Sequence, residues 1–353
     1  MAHDILTTLI GSYPTPDWLI HHHTEGALRD ATLVVLKTQE IAGIDLLTDG
    51  ELNRYDINHP ETNGMIDYFI RPLQNVRADV TRAEEKKYAE LTYLRFRHKP
   101  AGVVEGQLGE GRLNLAHDFD KVRELTARPL KFTVTSPYML GRTLLDRHYK
   151  SKEALVAALA DVLAAQLREV DAEVVQVSEE NLTGNPGDGP WVAEALNRMF
   201  AVVPRKAALH LCFGNYAGQV VQTGHYSQLV DFLNLLNVDH VLLELAYRGP
   251  DELTFLKDIK PEIGIGIGVI DIKSTVVESP DDVARAIERA DRVLGPGRLK
   301  YVHPDCGFWM HKRAVADAKM ANMVKGRDLF LGQTPAAPPE HQEIPSEERY
   351  AEA

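Results

Sequence analysis

Short apolar runs, each closed by a polar or glycine-containing stretch and followed by an amphipathic segment, set the rhythm of this chain. Eight of them read as strands, centred on residues 7–10, 44–47, 132–134, 174–177, 208–211, 240–243, 264–269 and 299–302. Helical patterns follow most of these runs. Between Lys152 and Val170, the side chains of Leu155, Val156, Leu159, Val162, Leu163 and Leu167 recur at three- and four-residue spacing, which predicts one buried helix face. Ser279-Pro280-Asp281-Asp282 predicts a helix start, with Ser279 as N-cap, Pro280 at the first helical position and acids in the first turn. Leu294-Gly295-Pro296-Gly297 predicts its end. Eight strand–helix units in succession predict an α/β chain folded as a (β/α)8 TIM barrel rather than an open sheet.

Two regions depart from the rhythm. Residues 62–128 are charged and carry short β-like pieces such as Leu91-Thr92-Tyr93-Leu94. They predict an arm or hairpin inserted after the second strand, covering the site or contacting another subunit in a homo-oligomer. Residues 334–353 are rich in Pro and Glu and predict a disordered tail, which leaves residues 1–333 as one barrel domain. The run His21-His22-His23 reads as a solvated turn, since adjacent side chains do not converge on one ion.

Composition narrows the function classes. The chain has 353 residues, enough for a substantial core, and a net charge of -12, which argues against a nucleic-acid partner. Residues 1–9 do not read as a signal peptide, and no apolar run approaches the roughly 18 residues that span a membrane. Two cysteines do not make a disulfide framework. The expectation is a cytoplasmic enzyme.

In a barrel of this kind, the C-terminal ends of the strands meet at one mouth. Polar residues collect there: Ser12; Asp49 and Glu51; Thr135 and Ser136; Glu179, Glu180 and Asn181; His210 and Cys212; Glu244; Asp271 and Lys273; His303, Asp305 and Cys306. His210 and Cys212 are two apart on one strand and so share a face. With Glu244 and Cys306 they make a candidate four-coordinate zinc site, and two thiolates favour zinc over magnesium or calcium. Taken singly, a buried cysteine is more often a small hydrophobe and a strand-end glutamate a solvated charge. Both cysteines of the chain fall at predicted strand ends, and that combination is what points to a metal.

These residues resemble the catalytic barrel of the cobalamin-independent methionine synthase family over most of residues 5–330. The matching pieces are Ile10-Gly11-Ser12-Tyr13-Pro14, Asp49-Gly50-Glu51 through Arg54 and Asp56, Val175-Gln176-Val177-Ser178-Glu179, His210-Leu211-Cys212, Leu243-Glu244, Gly268-Val269-Ile270-Asp271-Ile272 and Pro304-Asp305-Cys306-Gly307. The resemblance implies a TIM barrel holding zinc through His210, Cys212, Glu244 and Cys306, and transfer of a methyl group to the thiol of homocysteine. Glu244, the hard oxygen donor, is the ligand expected to give way to the incoming thiol. The resemblance also implies that Gly11 and Ser12 present N–H groups to an anionic end of the substrate and that Glu51 meets its amino group. The full-length enzyme has a further N-terminal barrel, so the chain resembles the short, single-barrel branch.

Several positions depart from that pattern. Where the family's Ile-Asp-Glu-Pro grips the homocysteine amine, this chain has Ser178, Glu179 and Glu180, so Glu179 or Glu180 compensates for the lost Asp or the thiol is another one. The family's Asp-Ile-His-Ser is Asp271-Ile272-Lys273-Ser274 here. Lys273 is then a catalytic acid of lowered pKa, an anchor for a substrate anion, or a salt-bridge partner of Asp271 or Glu244. Asp271 and Asp305 are candidates to orient ligating imidazoles, Asp305 by bonding His210 or His303. No tryptophan stands near Thr135-Ser136-Pro137-Tyr138 to stack on a pterin. The donor is accordingly open between methylcobalamin on a corrinoid protein and a methyl-folate. Three other readings compete: an epoxide-opening zinc enzyme using coenzyme M, a non-catalytic zinc barrel that assembles through its arm, and a Schiff-base aldolase using Lys273.

Overall fold

The computed structural model describes residues 5–55, 64–91, 97–216 and 219–333. Eight barrel strands form: β1 (Leu6–Thr7), β2 (Leu47–Thr48), β3 (Leu130–Thr135), β4 (Val174–Glu179), β5 (Lys206–Leu211), β6 (His240–Leu243), β7 (Gly264–Ile270) and β8 (Leu299–Pro304). They pair in the order β1-β8-β7-β6-β5-β4-β3-β2, all parallel. A parallel bridge between Thr8 and Leu46 joins β1 to β2 and closes the ring. β1 and β2 are shorter than the sequence predicts, and a side chain ties the two together. Asp45 Oδ2 accepts from both Thr7 N and Thr7 Oγ1, each at 2.8 Å, and from Arg327 Nη1 at 2.7 Å.

The outer core lies between strands and helices, and a smaller cluster fills the barrel itself: Ile10, Leu46, Val174, Ala208, Leu242 and Tyr301. β7 reads Gly-Ile-Gly-Ile-Gly because alternate residues face the interior, where its neighbours already fill the space. A Cβ on Gly266 would stand 2.3 Å from Leu242 Cδ2 and 3.1 Å from Tyr301 Cβ. One on Gly268 would stand 1.9 Å from Asp305 Oδ1. Strand β7 therefore yields its interior volume to side chains from β6 and β8.

The helix signals act as expected. Lys152–Leu167 buries Leu155, Val156, Leu159, Val162, Leu163 and Leu167. Ser279 Oγ accepts from Asp282 N at 3.2 Å and caps the helix Pro280–Leu294, which ends at Gly295 with φ 79°. His21, His22 and His23 are exposed at the end of a short helix. Among the described residues, no helix is long and apolar enough to cross a membrane.

Within residues 62–128, the described part builds a small layer of its own. Strand Gln74–Arg77 pairs antiparallel with Gly102–Gly109, which pairs in parallel with Leu144–Asp146, just beyond β3. The arm is thus tied back to the barrel. Leu91 ends a helix, Arg82–Leu91, rather than opening a β-like piece; Thr62, Asn63, Thr92 to Leu94 and the tail 334–353 lie outside the described residues. Leu115–Arg123 is the outer helix that precedes β3, with Phe119 edge-on to Phe132 at 6.0 Å. At the arm's root, Met65 O accepts from Thr135 Oγ1 at 2.8 Å, which hangs the arm on the barrel mouth. Glu84 pins the middle of the arm: it accepts from Arg77 Nη2 and Thr81 N, each at 2.8 Å, and pairs with Arg147 at 2.8 Å.

Two outcomes follow from this packing. Gly266→Val should destabilise the barrel by about 1–3 kcal/mol through overpacking, whereas the outward Ile265→Val should cost about 0.5–1.5 kcal/mol, both read by denaturant unfolding. The Arg77 guanidinium and the Thr81 donors hold Glu84 down to about 2 from an ordinary 4.5. Its contribution is therefore complete above about pH 4.5 and lost as pH falls toward 2. Hydrogen exchange in Arg82–Leu91 should show that loss in the wild type, and a Glu84→Gln protein should show a weakened arm without it.

Candidate metal centre

β5 ends in a pair of inward side chains, His210 and, one residue past the strand, Cys212; the turn after β8 brings Cys306 to meet them. The possible ligand atoms of these three all lie within 4.8 Å of one another. His210 Nδ1 faces Leu242 O on β6 at 3.1 Å, so the proton sits on Nδ1 and the lone pair on Nε2. That Nε2 is buried without a hydrogen-bond partner among the described residues. Burial, helped by His303 and Lys131, pushes the imidazole well below its ordinary value, so it stays neutral and able to ligate. Both cysteines are free thiols. The Cys306 thiol, burial and the carboxylates of Glu180 and Glu244 push the Cys212 thiol well up. A buried lone pair facing two thiols is costly unless a cation takes it, and one imidazole with two sulfurs is a zinc-type donor set.

Glu244 lies just past β6, fully buried, and its carboxylate is already held on both sides. Oε1 accepts from Lys273 Nζ at 2.6 Å and Oε2 from Phe213 N at 2.9 Å. It is not part of the three-residue cluster. Beneath it, the buried Tyr226 hydroxyl donates to Leu211 O at 2.7 Å and accepts from Glu244 N at 2.9 Å, tying the ends of β5 and β6 together. Burial pulls the Lys273 ammonium down, but Glu244, Asp305 and Cys306 raise it above the ordinary lysine value. Of the three roles open to Lys273, the ion pair with Glu244 is the one the geometry displays. Asp271 accepts from Lys273 N at 2.8 Å and so shapes the turn that presents Lys273; it does not line the metal pocket.

Asp305 corrects the sequence reading, which placed it against His210 or His303. Its carboxylate instead accepts three successive backbone N–H groups, from Leu245 and Ala246 to Oδ1 at 2.9 and 2.8 Å and from Tyr247 to Oδ2 at 2.8 Å. It folds the loop that follows Glu244. Burial and the Glu244 charge push it up to about 7, against the pull of those donors and of Lys273.

The pocket over the metal ligands gathers most of the expected substrate residues. Glu51, Ser178, Glu179 and Ser12 line it. Glu51 sits at φ 58° after Gly50, its N–H donating to Asp49 Oδ1 at 2.9 Å. Glu51 Oε1 accepts from Thr133 Oγ1 at 2.5 Å and pairs with Arg54 at 3.4 Å. Gly11 leaves room for that carboxylate, since a Cβ there would meet Glu51 Oε1 at 2.2 Å. Ser12 is clasped by the turn after Cys306: Phe308 N donates to Ser12 O at 2.8 Å. Ser178 Oγ accepts from Gln176 Nε2 at 3.0 Å. Glu179 is fully buried, taking Ser136 Oγ on one oxygen and Asn181 N and Leu182 N, at 2.6 and 2.9 Å, on the other. Burial, then the charges of Glu179 and Glu244, push Glu180 up to about 7.

Three residues at or near the site escaped the sequence reading. Trp309, from the turn after β8, lines the pocket, its only signal a position three residues past Cys306. Trp191 packs edge-on to Tyr138 at 5.4 Å, which corrects the expectation that no tryptophan stands near Thr135-Ser136-Pro137-Tyr138. Tyr226 gave no signal. Lys131 is buried inside the barrel with no partner for Nζ among the described residues, and desolvation holds it well below the ordinary lysine value. A lysine at an inward position of an otherwise apolar strand was the legible clue.

Residues 5–327 match the family described as the catalytic domain of cobalamin-independent synthase. Methionine synthase of Thermococcus kodakarensis is 30% identical over 341 residues, covering 92% of this chain and 92% of that protein. Methionine synthase of Sulfurisphaera tokodaii is 31% identical over 340 residues, with 92% and 91% covered. Among solved structures, a B12-independent methionine synthase from a Shewanella species, in complex with selenomethionine, superposes with a TM-score of 0.77 at 22% identity, covering 92% of this chain and 97% of that one, and shares its barrel fold.

Asp305→Asn tests the loop-folding role. An amide has one acceptor oxygen for three N–H donors, so unfolding should show a loss of about 1–3 kcal/mol. Hydrogen exchange at Leu245–Tyr247 should rise with it; unchanged protection there would return Asp305 to the imidazoles.

Proposed function

This chain belongs to the cobalamin-independent synthase catalytic-domain family, and we propose that it transfers a methyl group to the thiol of homocysteine, giving methionine, with zinc held by His210, Cys212, Cys306 and Glu244. The observation that carries this reading is the buried, unpartnered Nε2 of His210 facing two free thiols. Zinc at such a donor set supplies a Lewis acid that keeps a substrate thiol deprotonated near neutral pH. The transfer forms one carbon–sulfur bond and breaks the bond between the methyl group and its donor.

The chain's own residues prepare that exchange. The Leu242 carbonyl fixes the His210 tautomer. Lys273 pairs with the Glu244 carboxylate at 2.6 Å and would keep it partnered whether or not it holds the metal. Asp271 acts through Lys273 by holding its turn. Ser12 and Glu51 line the pocket, where Ser12, with Gly11 beside it in the chain, would offer backbone to the substrate's carboxylate end and Glu51 would meet its amino group.

The family description counts against methylcobalamin as donor and leaves a methyl-folate. Trp309 at the pocket wall removes the objection that no indole stands near a flat heterocycle. Epoxide opening with coenzyme M gains no support from these relatives, and Lys273, the cation suited to a sulfonate, is paired with Glu244. The same pairing keeps Lys273 protonated and disfavours the aldolase reading.

Chelator-stripped protein should fail to make methionine from homocysteine and a methyl-folate, and zinc should restore it. Cys212→Ser should lose both zinc content and turnover. A zinc-loaded protein that alkylates coenzyme M in preference to homocysteine would refute the reading.

A further inference from the structure

The loop between β7 and the helix Pro280–Leu294 carries Lys273 to Glu244, and its apolar side chains give it little hold. Val276 leaves 72% and Val277 37% of its surface exposed. The side chains of Asp271 and Ser274 accept within the loop itself, from Lys273 N at 2.8 Å and Val276 N at 3.1 Å. A firmer tie comes from the helix Arg313–Phe330. Its Lys319 is fully buried, and Nζ donates to Asp271 O at 2.9 Å and to Val276 O at 2.6 Å. The same ammonium meets both carboxylate oxygens of Glu278, at 3.0 and 2.9 Å. Glu278 Oε1 also accepts from Asp271 N at 2.9 Å, and Asn322, on the helix of Lys319, donates to Glu278 O at 2.8 Å.

An ammonium has three N–H donors, and burying it is costly unless acceptors surround it. Lys319 directs those donors to one loop, so a single charge ties residues 271, 276 and 278 together with Lys273 between them. Asp271 is gripped through both its N–H and its carbonyl, which fixes the carboxylate that receives Lys273 N. From that turn Lys273 Nζ reaches Glu244 Oε1 at 2.6 Å, with 4% of the lysine side chain exposed. Packing the helix on the barrel does not need a charge: Ala316, Met320 and Met323 are buried from the same helix. Apolar residues serve that purpose at lower desolvation cost, so a buried lysine calls for another reason. We propose that Lys319 is a positioning residue, latching the loop 271–278 so that Lys273 is held on Glu244. Its consequence for methyl transfer rests on the function proposed above; the latch itself does not.

The test removes both charges together, Lys319→Met with Glu278→Gln, so that neither is left buried alone; Lys319→Arg is the conservative control. Trace acetylation of the protein as purified, read by mass spectrometry, reports how often Lys273 leaves Glu244, with the exposed Lys257 as internal reference. The paired substitution should raise Lys273 labelling about 10-fold, and Lys319→Arg should keep part of the protection. Labelling equal to that of wild type overturns the latch, even in a less stable variant. Methyl transfer to homocysteine is then measured with and without Lys273→Met. Removing the latch should lower kcat/KM about 10-fold when Lys273 is present, and by less than about 2-fold when it is not. Equal losses in the two backgrounds would overturn the positioning role and leave Lys319 a stabilising one. Wild type that makes no methionine would bring down the function reading, while the labelling would still decide the latch.

Discussion

Burying acids together demands positive charge, and that demand organises the mouth of this barrel. Two thiols meet the carboxylates of Glu51, Glu179, Glu180, Glu244 and Asp305 there, while two of the nearby cations, Arg54 and Lys273, are each paired with one glutamate. Isolated charges in such surroundings are expensive, so the remainder must stay protonated or be met by something that arrives. Burial and the neighbouring carboxylates raise both Glu180 and Asp305. The buried Nε2 of His210, facing the two thiols without a partner among the described residues, is where such a cation would be met.

The barrel delivers these groups through its interior packing. β7 gives up its inward side chains, and the space is taken by Leu242, Tyr301 and Asp305 from the flanking strands. Asp305 can then reach the three N–H groups after Glu244, and Tyr226 can clamp the ends of β5 and β6. Glu244 and the pair His210–Cys212 are thereby set by hydrogen bonds below the mouth. The arm joins the same scheme through Met65, whose carbonyl is bonded to Thr135.

Some of this was legible in the chain. Eight apolar runs with helical patterns after most of them imply a closed parallel barrel, because parallel strands need crossover helices to bury both faces. The two-residue spacing of His210 and Cys212 implies a shared face from strand parity alone. The Ser279–Pro280 start of the helix Pro280–Leu294 was equally local, since a cap is satisfied within three residues. These features depend on neighbours in sequence, and the sequence by itself determined them.

What lay beyond it were the partners of buried charges. Glu179 and Glu180 are adjacent and chemically alike, yet one is enclosed by Ser136 and two N–H groups while the other faces the pocket alone. Lys273 was open to three roles until it met Glu244, 29 positions away. Asp305 sits beside Cys306 but bonds a loop some 60 residues earlier. Trp309 joins the pocket through a turn with no periodicity to read. Strand order and the inward reach of side chains bring such pairs together, so only the tertiary structure decided which buried charges find a partner within the protein.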